Sequence, residues 1–392
     1  MNENLKDTIR VAITGCGVIG RTHAVALQEF PDVAIVALID AIPDAAETLA
    51  AFIEDSGRPR PAIHTTIAEA FAAEDIDLVA LATPSGLHIQ QGLEVLAAGK
   101  HAVIEKPLDV DLSRAQEIEA AAEAAARNGV VASVISQHRF DQASVAVANA
   151  VANGRFGRLT SAIASVAWWR SQRYYDSGDW RGTWSMDGGG ALMNQGVHTV
   201  DLLLWYMGRP VEINARTGRL AHERIEVEDT AVATVTFENG GLAVLHATTA
   251  AYPGLTVRLQ LMGSEGSAVI DNDRLDYFHS SDASSETSDM GLQGGGNQAE
   301  QEQAKYPAED YEAKDPTVYP AGHVRQYRDI LSAIADGRAP GVTVSDAVNA
   351  LATVRAVYVS ATLNQPVLFE DVLAGKYNDL EVRTGNTATE SV

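Results

Sequence analysis

The sequence predicts an α/β domain with a doubly wound parallel sheet, followed by an α+β domain with an open-faced, mostly antiparallel sheet. Three observations carry this. At 392 residues the chain is too long for one ordinary core. Its first part alternates short apolar runs with helical patterns, which implies right-handed βαβ units. Beyond residue 137 strand-like runs follow one another through turns, with a helix among them.

The elements follow in order. Residues 10–14 form an apolar run leading into Gly15. A helical pattern then stops before Pro31, and residues 34–39 form a second run that ends in Asp40. Residues 78–82, 102–104 and 130–135 read as further buried strands. The 113–128 segment is rich in Ala and Glu and ends at Gly129, as a helix does. Residues 1–137 make the first domain. After a helix ending near Asn153-Gly154, strands are expected at 159–168, 211–217, 230–237, 242–249 and 256–262. Glu238-Asn239-Gly240-Gly241 is a hairpin turn, and Gly263-Ser264-Glu265-Gly266 is another. A helix at 191–207, closed by Gly208 and Pro210, interrupts the strands. The second domain is set at 138–377, with closing helices at 323–336 and 345–360. Residues 280–320 read as a surface insertion rich in Ser, Gly, Gln and Glu, and residues 378–392 as a polar tail.

Composition narrows the function. The net charge of −23 repels phosphates and argues against a nucleic-acid partner. Local Arg clusters still admit an anionic small ligand. No stretch is long and apolar enough to span a bilayer, and MNENLKDTIR lacks the apolar core of a signal peptide. The only cysteine is Cys16, which suits a cytoplasmic protein without an intramolecular disulfide. Cys16 reads as a small residue in a tight turn rather than as a reactive thiol.

Gly15-Cys16-Gly17-Val18-Ile19-Gly20 is a GxGxxG loop between a strand and a helix. Gly15 allows the turn, Gly17 lets a pyrophosphate approach the backbone, and Gly20 lets helix and strand pack closely. The helix start, with Val18 and Ile19, then presents free N–H groups to the phosphates. The unit predicts a Rossmann domain. Asp40 at the end of the second strand suits the adenosine ribose hydroxyls and repels a 2′-phosphate, which favours NAD over NADP. Thr83 and Pro84, just past a strand end, are expected in the cofactor cleft. His88 either joins them or caps the following helix.

Four motifs, GCGVIG, ATPSGLH, EKP and GGGALMNQGVHTVDLL, occur in order, and the likeness they carry runs from about Ile9 to Leu368. Through them the chain resembles the Gfo/Idh/MocA oxidoreductases, the glucose–fructose oxidoreductase and inositol dehydrogenase group. The resemblance implies a Rossmann domain followed by an open-faced sheet domain, and homodimers or homotetramers that pair through that sheet. It implies that Lys106 of EKP contacts the reacting hydroxyl and the nicotinamide ribose, and that His198 is the catalytic histidine. An ammonium there stabilises the developing alkoxide. An imidazole accepts a proton near neutral pH. Many relatives carry Asp four residues before the histidine. Here Asn194 stands there, which leaves substrate hydrogen bonding as its role. Helical spacing puts Asn194 and His198 on one face. Asp201 either holds the His198 ring from behind or forms a salt bridge on the helix surface.

Further candidates surround these residues. Glu105 is expected to orient the cofactor or the lysine, and Pro107 to fix the turn that aims it. Gln137 is a cofactor candidate. Arg139 faces either the cleft or an interdomain salt bridge. The segment from Trp168 to Trp184 is dense in aromatic and guanidinium groups that suit sugars and anions. In it Trp168 and Trp184 read as core. Arg173 and Tyr174 read as substrate groups, and Trp180-Arg181 resembles a family element that reaches the cofactor. ATPSGLH, GRFGRL, YYDSGDWRGTW, MNQ and IEVEDTA look similar to the branch of UDP-N-acetylhexosamine(-uronate) 3-dehydrogenases. The expected activity is NAD-dependent oxidation of a secondary hydroxyl, at C3 of a sugar or glycoside. An inositol dehydrogenase and a non-catalytic NAD-responsive binding protein are the alternatives. Hydride transfer within an NADP-bound dimer is a third, which Asp40 opposes.

Overall fold

A computed structural model describes residues 8–281, 296–306 and 320–387. Within these, 8–137 and 320–348 form one compact unit, and 138–306 and 349–387 another. Most of the expected 280–320 insertion and the last five residues of the expected tail lie outside the described residues.

Six strands build the sheet of the first unit among the described residues: β1 (Ile9–Thr14), β2 (Val33–Ile39), β3 (Ala62–His64), β4 (Leu78–Leu81), β5 (His101–Ile104) and β6 (Ala132–Val134). Their order is β3-β2-β1-β4-β5-β6, and every pair is parallel. This is the doubly wound order that reverses between β1 and β4. Ligands of such sheets lie beyond the strand ends at that reversal. The loops there are those of Gly15 and Thr83. β1, β4 and β5 are largely buried on both faces and therefore read as continuous apolar runs.

The sequence assigned residues 323–336 to the second domain, and packing corrects this. Helix Ala321–Asp336 lays Val324, Tyr327, Ile330 and Leu331 into the same core as Val11, Ile13, Leu27 and Leu38. Its apolar stripe is buried against the first unit, which its distance along the chain concealed.

The second unit holds a larger sheet. Its strands are β7 (Leu159–Ala167), β8 (Pro210–Arg219), β9 (Thr230–Phe237), β10 (Leu242–Thr248), β11 (Val257–Gly263), β12 (Gly266–Asp271), β13 (Arg274–Ser280), β14 (Val367–Leu368) and β15 (Asn386–Thr387). The order is β13-β12-β11-β7-β10-β9-β8-β14, with β15 beside β8. Only the β7–β10 and β8–β15 pairs are parallel among the described strands. The β9–β10 hairpin turns on Gly240 at φ +81°, and Asn239 Oδ1 accepts the Gly241 N–H at 2.8 Å. β9 and β10 alternate buried and outward residues. Outward Ile163, Val232, Leu242 and Val244 put an exposed apolar band on one face of the sheet. The described end of the expected tail is docked: β15 pairs with β8, and Arg355 reaches the carbonyl of Leu380 at 2.8 Å.

Candidate active site

The glycine turn shows how the first unit is built to receive a dinucleotide. Gly15 sits at φ +86°, and a Cβ there would meet Ala82 O at 2.5 Å. A Cβ on Gly20 would lie 2.0 Å from Gly15 O, so helix and strand pack only because it is glycine. Gly17 is the opposite case: nothing lies within 4 Å of its missing Cβ. It caps helix Val18–Leu27 without any side-chain hydrogen bond to the first turn. Open space and uncapped N–H groups together form an anion cradle. Val18 and Ile19 are 83% and 43% exposed beside it, which for apolar side chains indicates a contact surface.

Asp40 stands next to this cradle. Its Oδ2 accepts the Cys16 N–H at 2.8 Å, and its Oδ1 accepts that of Ile42 at 2.8 Å. Each oxygen keeps a lone pair for a ribose hydroxyl. Replacing Asp40 by Ala is expected to weaken NAD binding about tenfold and to narrow the preference over NADP by at least as much. Titration of the variant with both cofactors checks it; an unchanged ratio removes Asp40 from the adenosine site. Burial raises the Cys16 thiol to about 12, so it is inert, as expected.

Past β4, Thr83 donates its hydroxyl to Gln91 at 2.7 Å, and Pro84 is exposed. His88 departs from its expected cofactor role. It is fully buried, with Nε2 at 2.8 Å from Thr83 O and Nδ1 at 3.0 Å from Pro107 O. It ties the Thr83 loop to the Lys106-Pro107 turn instead of facing a ligand.

Glu105 is likewise internal. Its Oε1 lies 3.2 Å from His23 Nε2 and 3.4 Å from His323 Nε2, and Oε2 accepts the Lys106 N–H at 3.0 Å. Tyr327 Oη lies 2.7 Å from His23 Nδ1; in the tautomer with its proton on Nε2, towards the carboxylate, the hydroxyl donates to Nδ1. Burial raises the Glu105 pKa, yet hydrogen bonds from His23 and His323 hold it well below the usual carboxylate range. Burial keeps His23 neutral. Glu105 therefore anchors the lysine loop. The Lys106-Pro107 peptide is cis, Lys106 is half-buried, and no acceptor among the described residues takes its ammonium. Gln137 Oε1 is buried and also unpartnered among the described residues, which fits an amide donor from a ligand.

In the second unit, residues 191–207 are a π-turn, Leu192–Gly196, running into helix Val197–Met207. Such turns recur at functional sites. Of residues 191–203 only Asn194, Gln195 and His198 reach solvent; the rest are buried. Asn194 Nδ2 donates to Gly189 O at 2.9 Å, which leaves its carbonyl oxygen for a substrate hydroxyl. His198 packs edge-on to His138, with ring centroids 5.1 Å apart. Asp141 and Asp273 lie 2.9 and 3.1 Å from His138 Nδ1 and outweigh its burial, raising it to about 10.

Arg139 is not available to substrate. It forms a buried two-pronged pair with Asp201, Nε to Oδ2 at 2.7 Å and Nη2 to Oδ1 at 2.6 Å. The pair lies inside the second unit, with both side chains buried. Arg181 stacks over Trp180 and Tyr174 at 4.3 and 4.6 Å, and its Nη1 donates to Tyr174 Oη at 3.1 Å. Trp180 is 45% exposed, and Arg173 is exposed. Neither Arg173 nor Arg181 meets a carboxylate among the described residues. Trp184 packs beside Tyr175, Ile225 and Val227, as expected of a core residue; Trp168 is half-buried with Arg170 over its ring.

The buried dyad His222–Asp229 escaped the sequence reading. His222 Nε2 lies 2.8 Å from Arg170 O, and Nδ1 lies 3.0 Å from Asp229 Oδ2. It ties the Arg170–Tyr175 stretch to the start of β9. Glu228 beside it was also missed. Only the acidic pair within IEVEDTA, at the mouth of a strand, hinted at either.

Comparison with known proteins agrees with this construction. Residues 9–136 match the oxidoreductase family with an NAD-binding Rossmann fold, and residues 144–269 match the GFO/IDH/MocA C-terminal domain. An inositol 2-dehydrogenase of Rhizobium meliloti is 27% identical over 271 residues, 68% of this chain and 77% of that protein. An uncharacterized oxidoreductase of Bacillus subtilis is 28% identical over 68% of this chain and 74% of its own length. The crystal structure of the WlbA dehydrogenase from Bordetella pertussis, in complex with NADH and UDP-GlcNAcA, superposes with a TM-score of 0.78 at 28% identity, covering 93% of this chain and 98% of that one. The two matched segments are consecutive and correspond to the two sheets described above, so this chain belongs to the GFO/IDH/MocA family of oxidoreductases and its first domain is the family's NAD-binding Rossmann domain.

Proposed function

We propose that the protein is a cytoplasmic NAD-dependent dehydrogenase that oxidises a secondary hydroxyl of a sugar or glycoside, at C3 of a hexopyranoside. One observation carries this reading. The strand-end loop of the NAD-binding unit offers an unpartnered ammonium, Lys106, while the buried helix run of the other unit turns Asn194 and His198 outward. These are the groups that alcohol oxidation needs without a metal. His198 accepts the hydroxyl proton. Lys106 stabilises the alkoxide as it forms. The Asn194 carbonyl accepts a hydrogen bond from a ring hydroxyl. Arg173, Tyr174 and Arg181 hold the rest of the sugar and any anionic substituent. Gly15, Gly17, Val18, Ile19 and Gly20 hold the pyrophosphate, and Asp40 holds the adenosine ribose. Thr83, Pro84, Gln137, Trp180 and Arg181 complete the cofactor's surroundings. Nicotinamide, when bound, accepts the hydride.

The relatives support the substrate class. One is an inositol 2-dehydrogenase, and the WlbA structure holds UDP-GlcNAcA beside NADH. The exposed apolar band of Ile163, Val232, Leu242 and Val244 supports a homodimer or homotetramer that pairs through the sheet. A screen of NAD reduction over monosaccharides, glycosides, inositols and UDP-sugars tests the function. Reduction with a hexopyranoside or UDP-sugar is expected. A faster reaction with inositol makes the protein a cyclitol dehydrogenase, and no reduction with any polyol makes it a non-catalytic binding protein.

A further inference from the structure

The chemistry proposed for the second unit leaves one buried carboxylate without a task. Glu228 is fully buried, and no cation pairs with it among the described residues. A buried carboxylate without a countercharge is costly and needs dedicated hydrogen bonds. Its bonds show their purpose. Oε2 accepts the Gly190 N–H at 2.9 Å. Oε1 accepts the Leu192 N–H at 2.9 Å and the Tyr358 hydroxyl at 3.0 Å. Those two N–H groups are orphan donors at the entry to the helical run that carries Asn194 and His198. Asn194 returns its own amide to Gly189 in the same glycine stretch. The backbone comes this close because side chains are missing. A Cβ on Gly190 would lie 1.7 Å from Glu228 O, and one on Gly189 2.3 Å from the Tyr358 hydroxyl.

We propose that Glu228 is a positioning residue, whose carboxylate pins the glycine stretch and thereby sets the Asn194 amide and the His198 ring for the substrate. The inference rests on the assignment of Asn194 and His198 to the reaction. The ionised carboxylate accepts all three bonds at once; a proton on Oε2 confronts the Gly190 N–H, and one on Oε1 keeps its contacts only by reversing the bond to Tyr358. Burial raises Glu228 to about 7, against the pull of its donors. Tyr358 faces it directly, and Tyr175 lies within its field. Asp229, next in the chain, spends its carboxylate on the Leu220, Ala221 and His222 N–H groups. The ionised, three-acceptor state is therefore filled above neutrality and weakened below it.

The test is Glu228→Gln in the full chain, with kcat and KM followed across roughly two pH units either side of neutrality. The expected result is a kcat about tenfold lower at alkaline pH with an unchanged KM for NAD. In the wild type, log kcat should fall more steeply on the acid side than in the variant, because Glu228 adds its own proton. Tyr358→Phe keeps the carboxylate and removes one bond, so it should lower kcat by about threefold and retain the wild-type steepness. A Glu228→Gln enzyme with wild-type kcat and an unchanged acid limb overturns the proposal. If that variant does not fold, a Tyr358→Phe enzyme with wild-type kcat overturns it. Full activity in His198→Ala would instead overturn the site assignment on which this rests.

Discussion

Replacing His198 by Ala is expected to lower turnover on the order of a hundredfold or more, while NAD affinity stays within about threefold. The separation follows from where the groups reside. His198 lies on the helix of the second unit, half-buried and set edge-on against His138. The glycine cradle and Asp40 proposed to hold NAD belong to the first unit and do not depend on that ring. Removing the imidazole takes away the proposed proton acceptor and leaves water to do its work less efficiently. Steady-state turnover with the best substrate of the screen, together with calorimetric titration of NAD, checks both halves. Undiminished turnover would refute the catalytic assignment. Joint loss of turnover and NAD binding would show that the ring serves the fold.

Lys106→Met should produce a loss of similar size, about a hundredfold in kcat, for a different reason. Methionine preserves the apolar stem and removes the charge. The loop around it is held independently. Glu105 grips the Lys106 N–H from below and is itself held by His23 and His323, and His88 ties Pro107 to Thr83. The backbone should therefore stay in place, and the lost rate reports the ammonium alone. The role proposed for it is to stabilise the alkoxide, so the variant should show a larger primary deuterium isotope effect as hydride transfer becomes rate-limiting. A variant with wild-type kcat and only a raised KM would reduce Lys106 to a binding group.

Much of the first domain was legible because its signals are local. Gly15, Gly17 and Gly20 act within one turn, and Asp40 meets that turn at the end of the next strand. The hairpin at Asn239-Gly240 and the strands around it are equally local, since alternation and turn residues act over a few positions. The open readings share one cause. His88, Glu105 and Arg139 are polar residues in suggestive motifs, and the sequence leaves each between a ligand role and an internal one. Each meets a partner remote in sequence: Pro107, His23 with His323, and Asp201. Sequence shows that a residue can ionise or hydrogen-bond, but not whether that capacity is already taken.

The pattern of residues alone determined the two architectures, the dinucleotide loop, the preference for NAD and the candidacy of Lys106, Asn194 and His198. Those features arise from backbone conformation, periodicity and side-chain chemistry at short range. Folding decided which polar groups are consumed inside and which remain for ligands. It moved the helix of Tyr327 into the first core, buried Arg139 against Asp201, and placed Glu228 under the glycine stretch. The physical reason is that burial and hydrogen-bond satisfaction belong to pairs of groups brought together in space, and no single stretch of chain contains both members.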